Sequence, residues 1–187
     1  MKKVFISSMA VLAVLSVTSC KTDFETDVAD IAVTSGEADF SKYVALGNSL
    51  TSGYRDGALY ADGQRESYPA MIAGQMQRAG GGTFTQPLVP DNIGGFANIP
   101  GFKGKLTLQV VNGSLTPVYS TAVSTLDRLT GTYNNMGVPG AKSFHLVANG
   151  YGNMAGLAAG TANPYFVRFA SSSTASVLED AMAQNPT

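Results

Sequence analysis

Ser49 is the residue whose setting points most directly to chemistry. It follows the short apolar run Tyr43-Val44-Ala45-Leu46 and lies in Gly47-Asn48-Ser49-Leu50. A serine just past a buried strand is held at the carboxyl edge of a sheet, where open α/β proteins bind their ligands. Gly47 permits the sharp exit that exposes the hydroxyl. A serine hydroxyl stays a weak nucleophile until a positioned base takes its proton. The chain has one histidine, His145, and the residue three before it is Lys142, not an acid. His145 falls on an expected helix and reads as structural or surface-exposed, so it is not assigned as the base. The pentapeptide Gly47-Asn48-Ser49-Leu50-Thr51 lacks the second glycine of the G-x-S-x-G elbow, which disfavours an ordinary α/β-hydrolase. Gly150-Tyr151-Gly152-Asn153-Met154-Ala155 departs from the dinucleotide fingerprint and follows a helix, not a strand. Gly104-Lys105 lacks the P-loop glycine, with Ile99 in its place. With no H-E-x-x-H and no Cys/His cluster, neither a metal nor a cofactor is expected.

The elements that must hold Ser49 can be read from periodicity and turn residues. Tyr43 to Leu46 is a buried strand, the first of a parallel sheet if helices follow. Gly47 to Gly63 is a loop. Ser67 caps a helix from about Pro69 to Ala79, with apolar residues 68, 71, 72, 76 and 79 on one face. Residues 83–104 form a long irregular stretch, the kind that is usually functional or mobile. Leu106 to Val111 and Ser114 to Thr116 flank Asn112-Gly113, the strongest short-range hairpin signal, and are read as an insertion near 105–118. Thr132 to Met136 is a second short strand, ending at Gly137. A helix is expected over 141–148, a glycine-rich loop over 150–160, and a last helix over 174–184 with Val177, Leu178, Ala181 and Met182 on one face. Asn185-Pro186 stops it.

The stretch Tyr43 to Tyr54 resembles the first sequence block of GDSL/SGNH hydrolases: a strand, then Gly-Asp-Ser-Leu, then a polar residue and a glycine. Asn134-Asn135-Met136-Gly137-Val138-Pro139-Gly140 resembles the family's second block, in which a glycine after a strand donates its N–H to the oxyanion hole. The resemblance implies that Ser49 is the nucleophile and an oxyanion N–H donor, and that Gly137 is a second donor. It implies a three-layer α/β/α, flavodoxin-like fold and the hydrolysis of carboxylic esters, of acetylated sugars or acyl lipids, through an acyl-enzyme. Asn48 stands where the family has aspartate, which puts the local hydrogen bonds of that aspartate in question. The family's third block, Gly-x-Asn-Asp, and its Asp-x-x-His do not occur. Residues 42–187 are therefore read as the N-terminal part of such a domain, incomplete at its C-terminal side, with little or no esterase activity of their own. The alternative is a surface-anchored lipoprotein that binds glycans or lipids through Phe84, Phe96, Phe102 and the hairpin.

The first residues read as an address. Lys2 and Lys3 precede an apolar stretch from Val4 to Val17, too short to span a bilayer and suited to a signal peptide over 1–19. Val17-Thr18-Ser19-Cys20 resembles a bacterial lipobox, so Cys20, the single cysteine, is expected to be lipidated. Two acyl chains there would give stable anchoring. The chain is thus expected to be exported and held on a bacterial membrane, the outer membrane or cell surface included. Residues 20–41, with Asp23, Glu25, Asp27, Asp30, Glu37 and Asp39, form an acidic tether. Without Lys2 and Lys3, 10 basic residues face 13 acidic ones. No basic stripe is present, which excludes nucleic acid as an expected partner.

Overall fold

The computed structural model describes residues 26–187 apart from Asn98. The signal segment 1–19, Cys20 and the start of the tether lie outside the described residues. The chain divides after Val33 into two units. In the first, the described residues hold one 3₁₀ turn, Val28–Asp30. There Asp27 Oδ1 accepts from the Ala29 amide. The second unit is Thr34–Thr187, so the last stretch of the tether is part of it. The Phe40 carbonyl accepts from the Gly82 amide at 3.1 Å.

The second unit mixes short strands with short helices. In chain order these are β1 (Ala45–Gly47), α1 (Ser49–Ser52), α2 (Ala61–Arg65), α3 (Tyr68–Arg78), β2 (Leu106–Val111), β3 (Ser114–Tyr119), β4 (Asn135–Gly137), α4 (Pro164–Val167) and α5 (Val177–Met182). Additional 3₁₀ turns span Ser143–Val147 and Met154–Gly156. β1 and β4 pair in parallel with Ala45 opposite Asn135, Leu46 opposite Met136 and Gly47 opposite Gly137. β2 and β3 form a separate antiparallel hairpin, turning at Asn112-Gly113. This is a mixed α/β architecture with one parallel pair.

Two buried asparagines tie the parallel pair to its surroundings. Asn134 Nδ2 donates to the Tyr43 carbonyl at 2.9 Å, and its Oδ1 accepts from the amide and hydroxyl of Thr85. Asn135 Nδ2 donates to the Thr51 carbonyl and to Gln86 Oε1, both at 3.0 Å. Buried amides satisfied in this way fix one arrangement, because each unmade bond would leave a desolvated polar atom. The core packs Met136 and Val138 of this region with Tyr151, Tyr165, Phe166, Phe169 and Val177.

Several expected elements are corrected. The helix read over 69–79 forms as α3, but Pro69 and Ala73 are its buried residues. Tyr68, Met71 and Ile72, expected to face the core, are exposed. Ser67 precedes that helix without capping it; its hydroxyl instead donates to Gln86 Oε1 at 3.3 Å. The stretch 141–148 makes only a 3₁₀ turn. The last helix is shorter than 174–184, because Ser176 and Glu179 form a capping box that starts it at Val177. Residues 47–63, read as a loop, contain α1 and the start of α2.

Candidate active site

The register of the parallel pair brings the two sequence blocks together. Gly47 and Gly137 sit side by side at the carboxyl ends of adjacent strands. The Val138 amide donates to the Gly47 carbonyl at 2.9 Å, so the ladder continues one residue past β4. The two connections that leave this edge carry Asn48-Ser49 and Pro139-Gly140. Ser49 is half-buried at the first position of α1. Asn48 Oδ1 accepts from the Leu50 amide at 3.1 Å and caps the helix. Asparagine and aspartate are equivalent N-caps, so the asparagine supplies the local bond that the departure at residue 48 put in question. Gly53, in a left-handed conformation at φ 81°, ends α1 after one turn.

Ser49 lines a cavity of about 430 Å³ together with Tyr54, Phe102, Lys103, Gly140, Asn163 and Tyr165. The long irregular stretch 83–104 contributes Phe102 and Lys103 to it. Among the described residues, nothing hydrogen-bonds the Ser49 hydroxyl or the amides of Ser49 and Gly140. Gly137 is placed differently. It is buried, and its amide donates to Asn135 Oδ1 at 3.0 Å. A methyl group on it would press into the backbone of Thr51 and Ser52. Gly137 therefore lets α1 pack directly on β4, and its N–H is already occupied. Gly140, three residues on and at φ 81°, lines the Ser49 cavity where Gly137 does not.

Asn163 is a site residue that the sequence reading missed. Its Nδ2 donates to the Pro139 carbonyl at 2.8 Å and to the Tyr151 hydroxyl at 3.0 Å. Its Oδ1 accepts from the amides of Tyr165 and Phe166, capping α4. One side chain thus clamps the Pro139-Gly140 connection to the segment that carries Tyr165. The signal was present as Asn163-Pro164, a capping residue followed by proline at the first helical position.

The aromatic side of the cavity is tightly built. Tyr165 packs with Phe96 at 4.9 Å and Phe102 at 5.6 Å between ring centroids. Burial pushes its phenol far above the ordinary tyrosine range, with Tyr54 acting in the same direction and Arg168 opposing. It is therefore a neutral donor, and its hydroxyl has no protein partner among the described residues. Phe96 is a core residue, and Phe84 stacks on Tyr43 at 5.4 Å. Of the three phenylalanines considered for binding, Phe102 is the one that reaches this cavity.

His145 does not line it. Its Nδ1 accepts from the Lys142 amide at 3.1 Å, and its ring stacks on Tyr151 at 4.7 Å. A smaller cavity of about 290 Å³, bordered by Asn48, Leu50, Tyr68 and Lys142, opens beside the same strand end. Among the described residues no His/Cys/Asp/Glu group is arranged to hold a metal, and no helix is long and apolar enough to cross a membrane. Comparison with family models, with curated proteins and with solved structures gives no significant match.

Proposed function

We propose that this chain carries the nucleophile and oxyanion side of a serine ester hydrolase of the GDSL/SGNH kind. One observation supports the reading above the others. A parallel strand pair ends in two adjacent glycines, and the connections that follow put Ser49 and Gly140 on one cavity with unengaged amides. Two unengaged N–H groups on residues that line one cavity with a serine are candidates for a developing oxyanion, and each such donor contributes about 3–4 kcal/mol to the transition state. In this reading Gly140 takes the donor role that the resemblance implies for Gly137. The Ser49 hydroxyl attacks the ester carbonyl, its proton passes to a base, and an acyl-enzyme forms that water releases.

No described histidine is placed to act as that base, so the 187 residues alone are expected to turn over an activated aryl ester no faster than their Ser49→Ala variant. Supply of the base by another segment is part of the proposal. The deciding experiment treats the protein as its source expresses it with a fluorophosphonate probe. Labelling confined to Ser49 and abolished by Ser49→Ala is expected. A native protein that resists the probe while retaining ligand binding would favour the lipoprotein that binds without catalysis. In the hydrolase reading, the signal segment and Cys20 would hold the enzyme on a bacterial membrane.

A further inference from the structure

The β2–β3 hairpin is built inside out. Residues opposite one another in an antiparallel pair share a face, and alternate residues along a strand share a face. Leu106 pairs with Tyr119, Leu108 with Pro117 and Val110 with Leu115, so one face is wholly apolar. Thr107, Gln109, Ser114 and Thr116 lie on the other, with Val111 and Val118. An ordinary hairpin would turn the apolar face to its own core. Here Leu108 is 69% exposed, and Val110 and Leu115 are each 71% exposed, whereas Thr107, Thr116 and Val118 on the polar face are half-buried; Leu106 at the base is half-buried too, and toward the turn Gln109, Val111 and Ser114 of the other face are exposed as well. Contiguous exposed apolar surface of this kind marks an interaction site.

The charge pattern selects the partner. Between Asp91 and Asp127 the only charged side chains are Lys103 and Lys105. Both sit where the hairpin emerges. The Lys103 ammonium lies 5.1 Å from the centre of the Tyr119 ring, and Lys105 lies 4.3 Å from that of Tyr60. Neither makes an ion pair among the described residues. Lys105 opposes Ser120 and so lies on the other face, its ammonium on the buried Tyr60 ring, whereas Lys103 sits on Tyr119 at the edge of the apolar face. An apolar face with a tyrosine and an unpaired lysine at its base, and no carboxylate in the stretch, fits the boundary of an anionic lipid layer. The face is also continuous with the Ser49 cavity. The Tyr119 ring packs against Gly57, and Gly57 and Lys103 both line that cavity.

We propose that the Leu106/Leu108/Val110/Leu115/Pro117/Tyr119 face docks flat on an anionic lipid surface, with Lys103 against the headgroups, so that the mouth of the Ser49 cavity faces the lipid. The docking does not depend on hydrolysis or on the acyl anchor. It is tested with the mature chain from residue 20 carrying Cys20→Ser, by co-sedimentation with vesicles of phosphatidylglycerol and phosphatidylcholine or of phosphatidylcholine alone, with the protein that sediments without vesicles subtracted. Binding to the anionic vesicles is expected. The combined variant Leu108→Ser, Val110→Ser and Leu115→Ser should weaken it by at least about tenfold, since three exposed apolar side chains lose their transfer into lipid. Lys103→Gln should weaken it by about fivefold, from the usual gain per basic residue at an anionic surface. All these side chains are exposed or lie at the hairpin base, and an unchanged circular dichroism spectrum would establish that the variants fold. Equal binding by the triple variant, or no binding to either vesicle, overturns the proposal. So does a dimer in solution that the triple variant abolishes, because the occupant would then be a second copy of the chain. Fluorophosphonate labelling of Ser49 is read separately, so a failure of docking and a failure of the hydrolase reading remain distinct.

Discussion

At the scale of single residues, the candidate site depends on amide side chains that satisfy several backbone groups at once. Asn163 is the clearest case, since its two ends serve different segments. The Oδ1 end caps α4, and the Nδ2 end holds the Pro139 carbonyl. Asn163→Asp separates these roles. The carboxylate keeps an acceptor for the Tyr165 amide but has no hydrogen to give Pro139, and it faces that carbonyl with like polarity. The melting midpoint of the variant should fall modestly, in line with a lost bond of about 1–3 kcal/mol. Labelling of Ser49 in the native protein should fall by about tenfold or more, because misplaced donors near the reacting centre lower the rate steeply. If labelling falls only in proportion to stability, Asn163 is a structural clamp and does not position Gly140. Arg168 provides a contrast. It is buried, donates to the carbonyls of Pro87 and Leu88, and leaves Nε without a partner. Burial pushes its guanidinium down to about 10, which still leaves it charged at neutral pH. Its place is to anchor the 87–88 segment, away from the Ser49 cavity.

At the scale of elements, one close approach holds the site together. α1 lies directly on β4 because Gly137 has no side chain. Gly137→Ala would drive a methyl group into the backbone of Thr51 and Ser52, which cannot swing aside as a long side chain would. Overpacking of this kind is expected to destabilise the chain by about 1–3 kcal/mol, read as a lower urea midpoint with an unchanged slope. A neutral effect would mean that α1 and β4 are not in the contact described. This element also separates what was legible in the sequence from what was not. The strand ends at Gly47 and Gly137, the serine between them in the chain, and the Asn112-Gly113 turn were legible because each rests on local backbone chemistry. The hydrogen bond that occupies the Gly137 amide was not legible, since it depends on where the Asn135 side chain points after pairing with its surroundings. The exposure of the α3 apolar stripe was equally hidden. Periodicity gives a face, and only packing decides whether Tyr68, Met71 and Ile72 meet a neighbour. The capping box of Ser176 and Glu179 is legible in their spacing and sets the start of the last helix at Val177, inside the span that periodicity alone predicts.

At the scale of the whole molecule, the apolar surface is distributed unevenly. One group of aromatic and aliphatic side chains forms a well-buried core around Tyr165, Phe166 and Val177. Another group is left in solvent: Leu46 of β1, Leu50 of α1, Met71 and Ile72 of α3, and Leu178 and Met182 of α5. Parallel strands are ordinarily buried on both faces, and among the described residues β1 has β4 as its one strand neighbour. A sheet of two three-residue strands is too small to hold a domain together by itself. The separately expressed 187 residues are therefore expected to bind a hydrophobic dye such as anilinonaphthalene sulfonate in native buffer. They should also self-associate or unfold over a broad temperature range. The hairpin variant with three serines should leave most of this dye binding in place, because it does not touch the Leu46, Leu50 and Met71 surface. Differential scanning calorimetry beside dye fluorescence makes the check. A monomer that melts sharply, with equal calorimetric and van't Hoff enthalpies and no dye bound, would mean that the exposed side chains find cover within the 187 residues and that the parallel pair is sufficient for a cooperative fold.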